Sequence, residues 1–425
     1  MTVVVFTFSL LGTMALGLPI AFALLVCGAA LMLFQGQMDA TILSQKLLEG
    51  ADSFPLLAIP FFMLAGELMN AGGISKRIVD FALAWVGHLR GGLGLVAVFA
   101  SVMMAAISGS AAADAAAIGT LLIPMMREAG YNVPRAAGLI AAGGVIAPVI
   151  PPSIGLIMFG VIANVSIGKL FLAGIFPGLM MGLALAIAWR WVVRRDQVAV
   201  LPRQTWRARG RAGVNGIWAL VMPLGIVGAL KFGVLTPTET GVAACVYAFL
   251  VGTLVYRELP LRRLYPLLVS AAKTTAVIVF LIAAALVSAW LITVSDVPAQ
   301  VAALLEPFTG HKILLMLVIM VLVVIVGTAL DFTPTVMILT PVLMPVIKQA
   351  GIDPVYFGVL FIMNNAIGLI TPPVGIVLNV MCGVAKVPMS DLIRGLWPFL
   401  WAELIVLLLL VLFPALVLVP LKWLS

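Results

Sequence analysis

Charge is what this chain has least of. Asp, Glu, Lys and Arg make up 9% of its 425 residues, against about 25% in soluble domains. So few charges cannot cover a water-exposed surface, which excludes a soluble globular class. Cysteine is scarce as well, with three residues, and histidine scarcer, with two. Cys27, Cys245 and Cys382 lie in apolar runs, in neither a metal-ligand spacing nor a disulfide framework. His88 and His311 fall at the flanks of predicted hairpins and read as structural, not as proton relays. The formal charge is +8, but no recognition motif accompanies it, so nucleic acid is excluded as a partner. The opening MTVVVFTFSLLG has no basic flank and no cleavage site. It reads as a retained first helix and not a signal peptide.

Apolar sequence is abundant: 64% of residues are hydrophobic and the mean hydropathy is +1.24. A spanning helix needs about 20 apolar residues. Apolar runs cover roughly 4–34, 54–72, 94–125, 136–164, 170–193, 213–230, 240–256, 270–294, 312–346, 355–380 and 395–420. The expectation is an all-α polytopic membrane protein with lipid around it.

Four of these runs are unlike simple spans. Those near 94–125 and 312–346 are interrupted by SGSAAAD (Ser108 to Asp114) and GTALDFTPT (Gly327 to Thr335). Two short apolar arms around a small polar centre predict a re-entrant hairpin. The runs near 136–164 and 355–380 carry Pro151–Pro152 and Pro372–Pro373. One proline inside a helix costs about 3 kcal/mol, and lipid offers no water to the carbonyls it frees. Both runs therefore predict broken helices whose gaps are filled by protein.

The two halves match at an offset near 221: Pro124 with Pro345, Gly130 with Gly351, Pro151 with Pro372 and Pro152 with Pro373. An odd number of crossings, five, separates the hairpins, so the repeats are predicted to have inverted topology. Repeat 1 is 1–193 and repeat 2 is 240–425. Between them, 194–239 holds an Arg-rich loop and a linking helix. With that loop in the cytoplasm, Lys46, Lys169, Lys231, Lys312, Lys348 and Lys422 face outward and the other basic residues face inward, as the positive-inside rule favours. The N-terminus is then cytoplasmic and the C-terminus periplasmic.

Symmetry brings the two hairpin tips toward the midplane. Their hydroxyls, carboxylates and freed carbonyls are hard ligands suited to a small cation. The N-termini of the half-helices suit an anion. This is the layout of a sodium-coupled secondary transporter. Asp114 and Asp331 each read either as part of the cation site or as a tip cap for backbone N–H groups; the residues leave both open. Asn364 and Asn365 are read as lining the substrate cavity, with capping of the broken helix as the alternative. Ser110, Ser153 and Thr333 join them as candidate lining hydroxyls.

Five stretches together resemble the large membrane subunit of tripartite ATP-independent periplasmic (TRAP) transporters, the DctM-like permeases. They are FPLLAIPFFMLAGELMNAGGIS (Phe54 to Ser75), SGSAAADAAAIGTLLIPMM (from Ser108), GYNVPRAAGLIAAGGVIAPVIPPS (Gly130 to Ser153), GVLTPTETG (Gly233 to Gly241) and NNAIGLITPPVG (Asn364 to Gly375). The resemblance covers nearly the whole chain. It implies sodium-driven import of an organic acid across the bacterial inner membrane by an elevator motion, with no cofactor beyond the coupling ion. It implies two partners: a periplasmic substrate-binding protein and a small four-helix membrane subunit, expected on a separate chain. It places cation coordination on Ser108, Gly109, Ser110 and Pro151, Pro152, Ser153, and on Gly327, Thr328, Asp331 and Thr371, Pro372, Pro373, Val374. Competing readings are a symporter that needs no binding protein, proton coupling through Asp114 or Asp331, a passive channel and an intramembrane protease. The last lacks a partnered base, and the aspartates lack the glycine-flanked motif of membrane aspartyl proteases.

Overall fold

The structure is a computed structural model that describes residues 2–36, 38–196, 198–294, 310–372 and 375–424. Every α-helix below is drawn from those residues. Five helices come first: α1 Thr2–Ala15, α2 Ile20–Phe34, α3 Ala40–Ala51, α4 Ala58–Ala71 and α5 Ile74–Val86. The run expected as one first span is thus two helices. Gly17 at φ +83° and Pro19 before Ile20 divide it, because a left-handed residue and a missing N–H both end helical hydrogen bonding.

A helix–turn–helix follows, α6 Gly92–Ser108 and α7 Ala111–Glu128, where the first hairpin is predicted. Then come α8 Val133–Gly144 and α9 Ile154–Ala163, separated at the first Pro-Pro pair, and α10 Ile167–Val192. The Arg-rich stretch is shorter than expected. Thr205 accepts from Ala208 N–H and starts α11, Trp206–Lys231, so Arg207, Arg209 and Arg211 are helical. The remaining loop is tied down: Arg135 pairs with Asp196 at 2.6 Å, and Ala199 N–H donates to Ala129 O at 3.2 Å.

The second half runs α12 Pro237–Leu250, α13 Leu264–Val294, a second helix–turn–helix of α14 Lys312–Ala329 and α15 Phe332–Gln349, then α16 Pro354–Gly368, α17 Ile376–Ala385, α18 Met389–Leu412 and α19 Ala415–Leu424. The second Pro-Pro pair lies between α16 and α17. Six helical stretches among the described residues are long and apolar enough to cross a membrane. The half-helices are shorter, and polar side chains start them: Ser110, Asn132, Ser153, Asp331 and Asp353 each accept a backbone N–H at the N-terminus they precede. Such caps satisfy donors that lipid would leave bare.

Small residues let the helices close on one another, as is usual without a hydrophobic drive between spans. A β-carbon at Gly138 would lie 2.8 Å from Leu396 Cα, which brings α8 and α18 into backbone contact. At the centre Phe159 of α9 packs against Phe357 and Phe361 of α16.

Candidate functional site

The first tip is built from three consecutive residues. α6 stops at Ser108, Gly109 turns the chain at φ +63°, and Ser110 caps α7. The Ser108 hydroxyl donates to Asp114 Oδ1 and accepts from Ser110 N–H at 3.1 Å. Asp114 is fully buried, and its Oδ2 has no hydrogen-bond partner. Asp114 therefore links the two arms of the turn through Ser108. Capping of α7 falls to Ser110 instead.

The first break meets this tip directly. A β-carbon at Gly109 would stand 2.9 Å from the carbonyl oxygen of Pro152 and 3.6 Å from Ser153 Cα. Only glycine allows so close an approach in a left-handed turn. The peptide between Pro151 and Pro152 is cis. Ser153 holds the break from inside, donating to Pro148 O and accepting from Leu156 N–H at 3.2 Å. Ser108, Gly109, Ser110, Asp114, Pro151, Pro152 and Ser153 thus fall in one locality.

The second tip is organised differently. Asp331 is exposed and caps α15, accepting from Phe332 N–H at 2.6 Å. Here the capping reading matches the hydrogen bond present. Thr328 donates within its own helix to Ile325 O at 2.7 Å. Gly327 meets the second break through Gly368, whose β-carbon would lie 3.3 Å from the Gly327 backbone. Thr371 donates to Ile367 O at 2.9 Å, just ahead of Pro372. Pro373 and Val374, also placed in this site by the sequence, lie outside the described residues.

Between the two tips is a cavity of about 250 Å³. Four helices begin on its wall: α7 at Ala111, α9 at Ile154, α15 at Phe332 and α17 at Ile376. Each N-terminus carries roughly half a positive charge on its free N–H groups. Their convergence offers N–H donors to an anion, although among the described residues Asp331 is the charged group on the wall and no arginine or lysine offsets it.

Of the candidate lining residues, Ser110 and Thr333 reach this cavity, as do Gly109 and Asp331. Ser153, Asn364 and Asn365 do not. The Ser153 hydroxyl is consumed inside its break. Both asparagines are buried and turned toward the second helix pair: Asn364 Nδ2 donates to Met320 O at 2.7 Å, and Asn365 Nδ2 to Phe332 O at 3.2 Å. They brace α16 against α14 and α15. Sequence reasoning missed one wall altogether, formed by Thr274 and Ile278 of α13 and Met63 of α4. The paired threonines in AAKTTAVIV, after Lys273 in a largely apolar span, were the available signal.

Broken helices and paired turns around a central anion-suited cavity define an all-helical, multi-pass membrane transporter. The architecture is similar to that of the Alcanivorax borkumensis YdaH transporter, with a TM-score of 0.67 over 89% of this chain and 90% of that one, at 16% identity. Residues 7–416 match the family described as tripartite ATP-independent periplasmic transporter, DctM component, and the chain belongs to that family. It is 54% identical to the 2,3-diketo-L-gulonate TRAP transporter large permease protein YiaN of Escherichia coli K12, over all of both chains. It is 53% identical to a putative TRAP transporter large permease protein of Haemophilus influenzae, again over all of both. These relatives are transporter permeases and not enzymes.

Proposed function

We propose that this chain is the membrane path of a sodium-coupled importer of an organic acid, working by an elevator motion in the bacterial inner membrane. The observation that carries this is a cavity bounded by both turns and by four helix N-termini. A carboxylate placed there meets converging N–H groups without a buried cation. The substrate class follows from the chemistry of the wall and from the sugar acid named for the Escherichia coli relative.

Two buried oxygens support sodium as the coupling cargo. Asp114 Oδ2 beside the first tip and Asn365 Oδ1 beside the second have no hydrogen-bond partner. A β-carbon at Gly327 would lie 3.6 Å from that Asn365 oxygen. Orphan buried acceptors cost about 1–3 kcal/mol each, and a hard cation is the ligand that repays them. The Ser108 hydroxyl and the Pro152 carbonyl complete an oxygen-rich set at the first tip. The reading includes inverted repeats, a cytoplasmic N-terminus, a small membrane subunit and a periplasmic binding protein that delivers substrate.

Uptake into proteoliposomes that hold this chain with its small subunit tests the reading. Substrate-loaded binding protein is added under an inward sodium gradient. Replacing sodium by choline at fixed pH is expected to abolish accumulation. Undiminished uptake in choline sinks sodium coupling, and uptake of free substrate without the binding protein sinks the tripartite reading.

A further inference from the structure

A second cavity, of about 640 Å³, opens where α9 and α15 end. The same three helices line both cavities. The last residue of α13 to line the central cavity, Ile278, lies eight before the first to line the outer one, Leu286, and Ile154 and Ile162 on α9 and Thr333 and Pro341 on α15 are spaced alike. At 1.5 Å per residue that is a common displacement of roughly 12 Å. All three helices run in the same sense from one cavity to the other. α3 closes the outer cavity by crossing α13 at Gly50, whose β-carbon would lie 2.8 Å from Ala283 Cα.

The outer lining differs from the inner one in charge. Lys46 of α3 and Lys348 of α15 face it, with Glu49 as its carboxylate. Glu49 already pairs with Lys46 at 2.6 Å, so among the described residues of the lining Lys348 supplies the uncompensated charge. A full charge there outweighs the partial negative end of its own helix. Asn164 adds an amide, and Trp290, Leu286 and Pro341 add an apolar floor. An ammonium, an amide and an apolar floor are the complement of a small organic anion.

We propose that this vestibule is a peripheral carboxylate-binding site, one step out from the central cavity and on its path. Lys348 holds the carboxylate, and the ion-paired Lys46 borders it. The inference rests on the reading of the chain as an organic-acid importer. In that topology both lysines face the periplasm, where the vestibule captures substrate before it reaches the tips.

The test is charge-selective labelling of Asn164→Cys, an exposed position at the vestibule, in the reconstituted transporter. An anionic and a cationic methanethiosulfonate of similar size are compared, each normalised to its rate with a free thiol and to the chain that keeps Asn164. The anionic reagent is expected to react severalfold faster. Free 2,3-diketo-L-gulonate is expected to slow both, and Lys348→Gln to remove the preference. Lys422→Gln, on α19 and outside the vestibule lining, leaves the preference in place. In uptake, Lys348→Gln raises the half-saturating substrate concentration severalfold, more than it lowers the maximal rate. Equal labelling rates, or a preference that survives Lys348→Gln, overturn the proposal. So does protection by the binding protein but not by the free acid, which assigns the vestibule to protein docking. If the unsubstituted transporter imports no organic acid, the parent reading fails by itself, and the labelling preference is judged separately.

Discussion

Replacing Gly109 by alanine perturbs the contact between the first tip and the first break. The new β-carbon would lie 2.9 Å from Pro152 O, where ordinary contact begins about half an ångström further out. Gly109 also sits at φ +63°, and an L-residue with a β-carbon pays about 1–2 kcal/mol there. Gly130→Ala separates the two effects. Gly130 has φ +80° but nothing within 4 Å of its β-carbon position, so it carries the backbone penalty without the collision. Gly130→Ala is expected to lose about 1–2 kcal/mol of stability in thermal unfolding, and Gly109→Ala at least as much. Gly109→Ala alone also pushes the tip off Pro152. If a similar 1–2 kcal/mol is lost from ion binding, the sodium concentration for half-maximal uptake rises roughly 5–30-fold. Gly130→Ala leaves it unchanged. A sodium dependence of Gly109→Ala equal to that of Gly130→Ala would refute the tip-and-break account of the site.

Two further substitutions address the buried polar groups. Ser108→Ala removes the donor to Asp114 Oδ1 and leaves both carboxylate oxygens buried and unpaired. It is expected to destabilise by about 1–3 kcal/mol, whereas Asp114→Asn keeps an acceptor for Ser108 and unfolds at a higher temperature than Ser108→Ala. Asn365→Ala breaks the 3.2 Å bond to Phe332 O and is expected to cost about 1–3 kcal/mol. Because Asn365 does not line the central cavity, its effect on uptake appears in the sodium dependence rather than in substrate half-saturation; a pure substrate effect contradicts its placement.

The turns and breaks were legible because each violates what an uninterrupted span requires. Ser108 to Asp114 and Gly327 to Thr335 interrupt apolar runs with small polar residues, and helices end and restart within both stretches. The prolines at 151–152 and 372 mark gaps between helices for the same reason: no N–H is available to continue the ladder. The division of the first run at Gly17 to Pro19 had its own glycine and proline, but the long apolar pattern around them outweighed that signal.

Side-chain roles were less legible. Asp114 and Asp331 look equivalent in sequence, at matching interruptions. One is sealed against Ser108 and the other caps a helix in the open. What separates them is burial. Likewise Asn364 and Asn365 stand beside a break, yet their amides turn to Met320 O and Phe332 O, which local pattern does not reveal. Composition, apolar run length and proline placement determined that this chain lives in lipid and where its turns and breaks interrupt the helices, since those properties depend on backbone hydrogen bonding within a few residues. Only the tertiary structure decided which polar atoms face the cavity, that α13 closes one wall, and that Lys46 and Lys348 line one outer vestibule. Those outcomes depend on partners distant along the chain, brought together by packing.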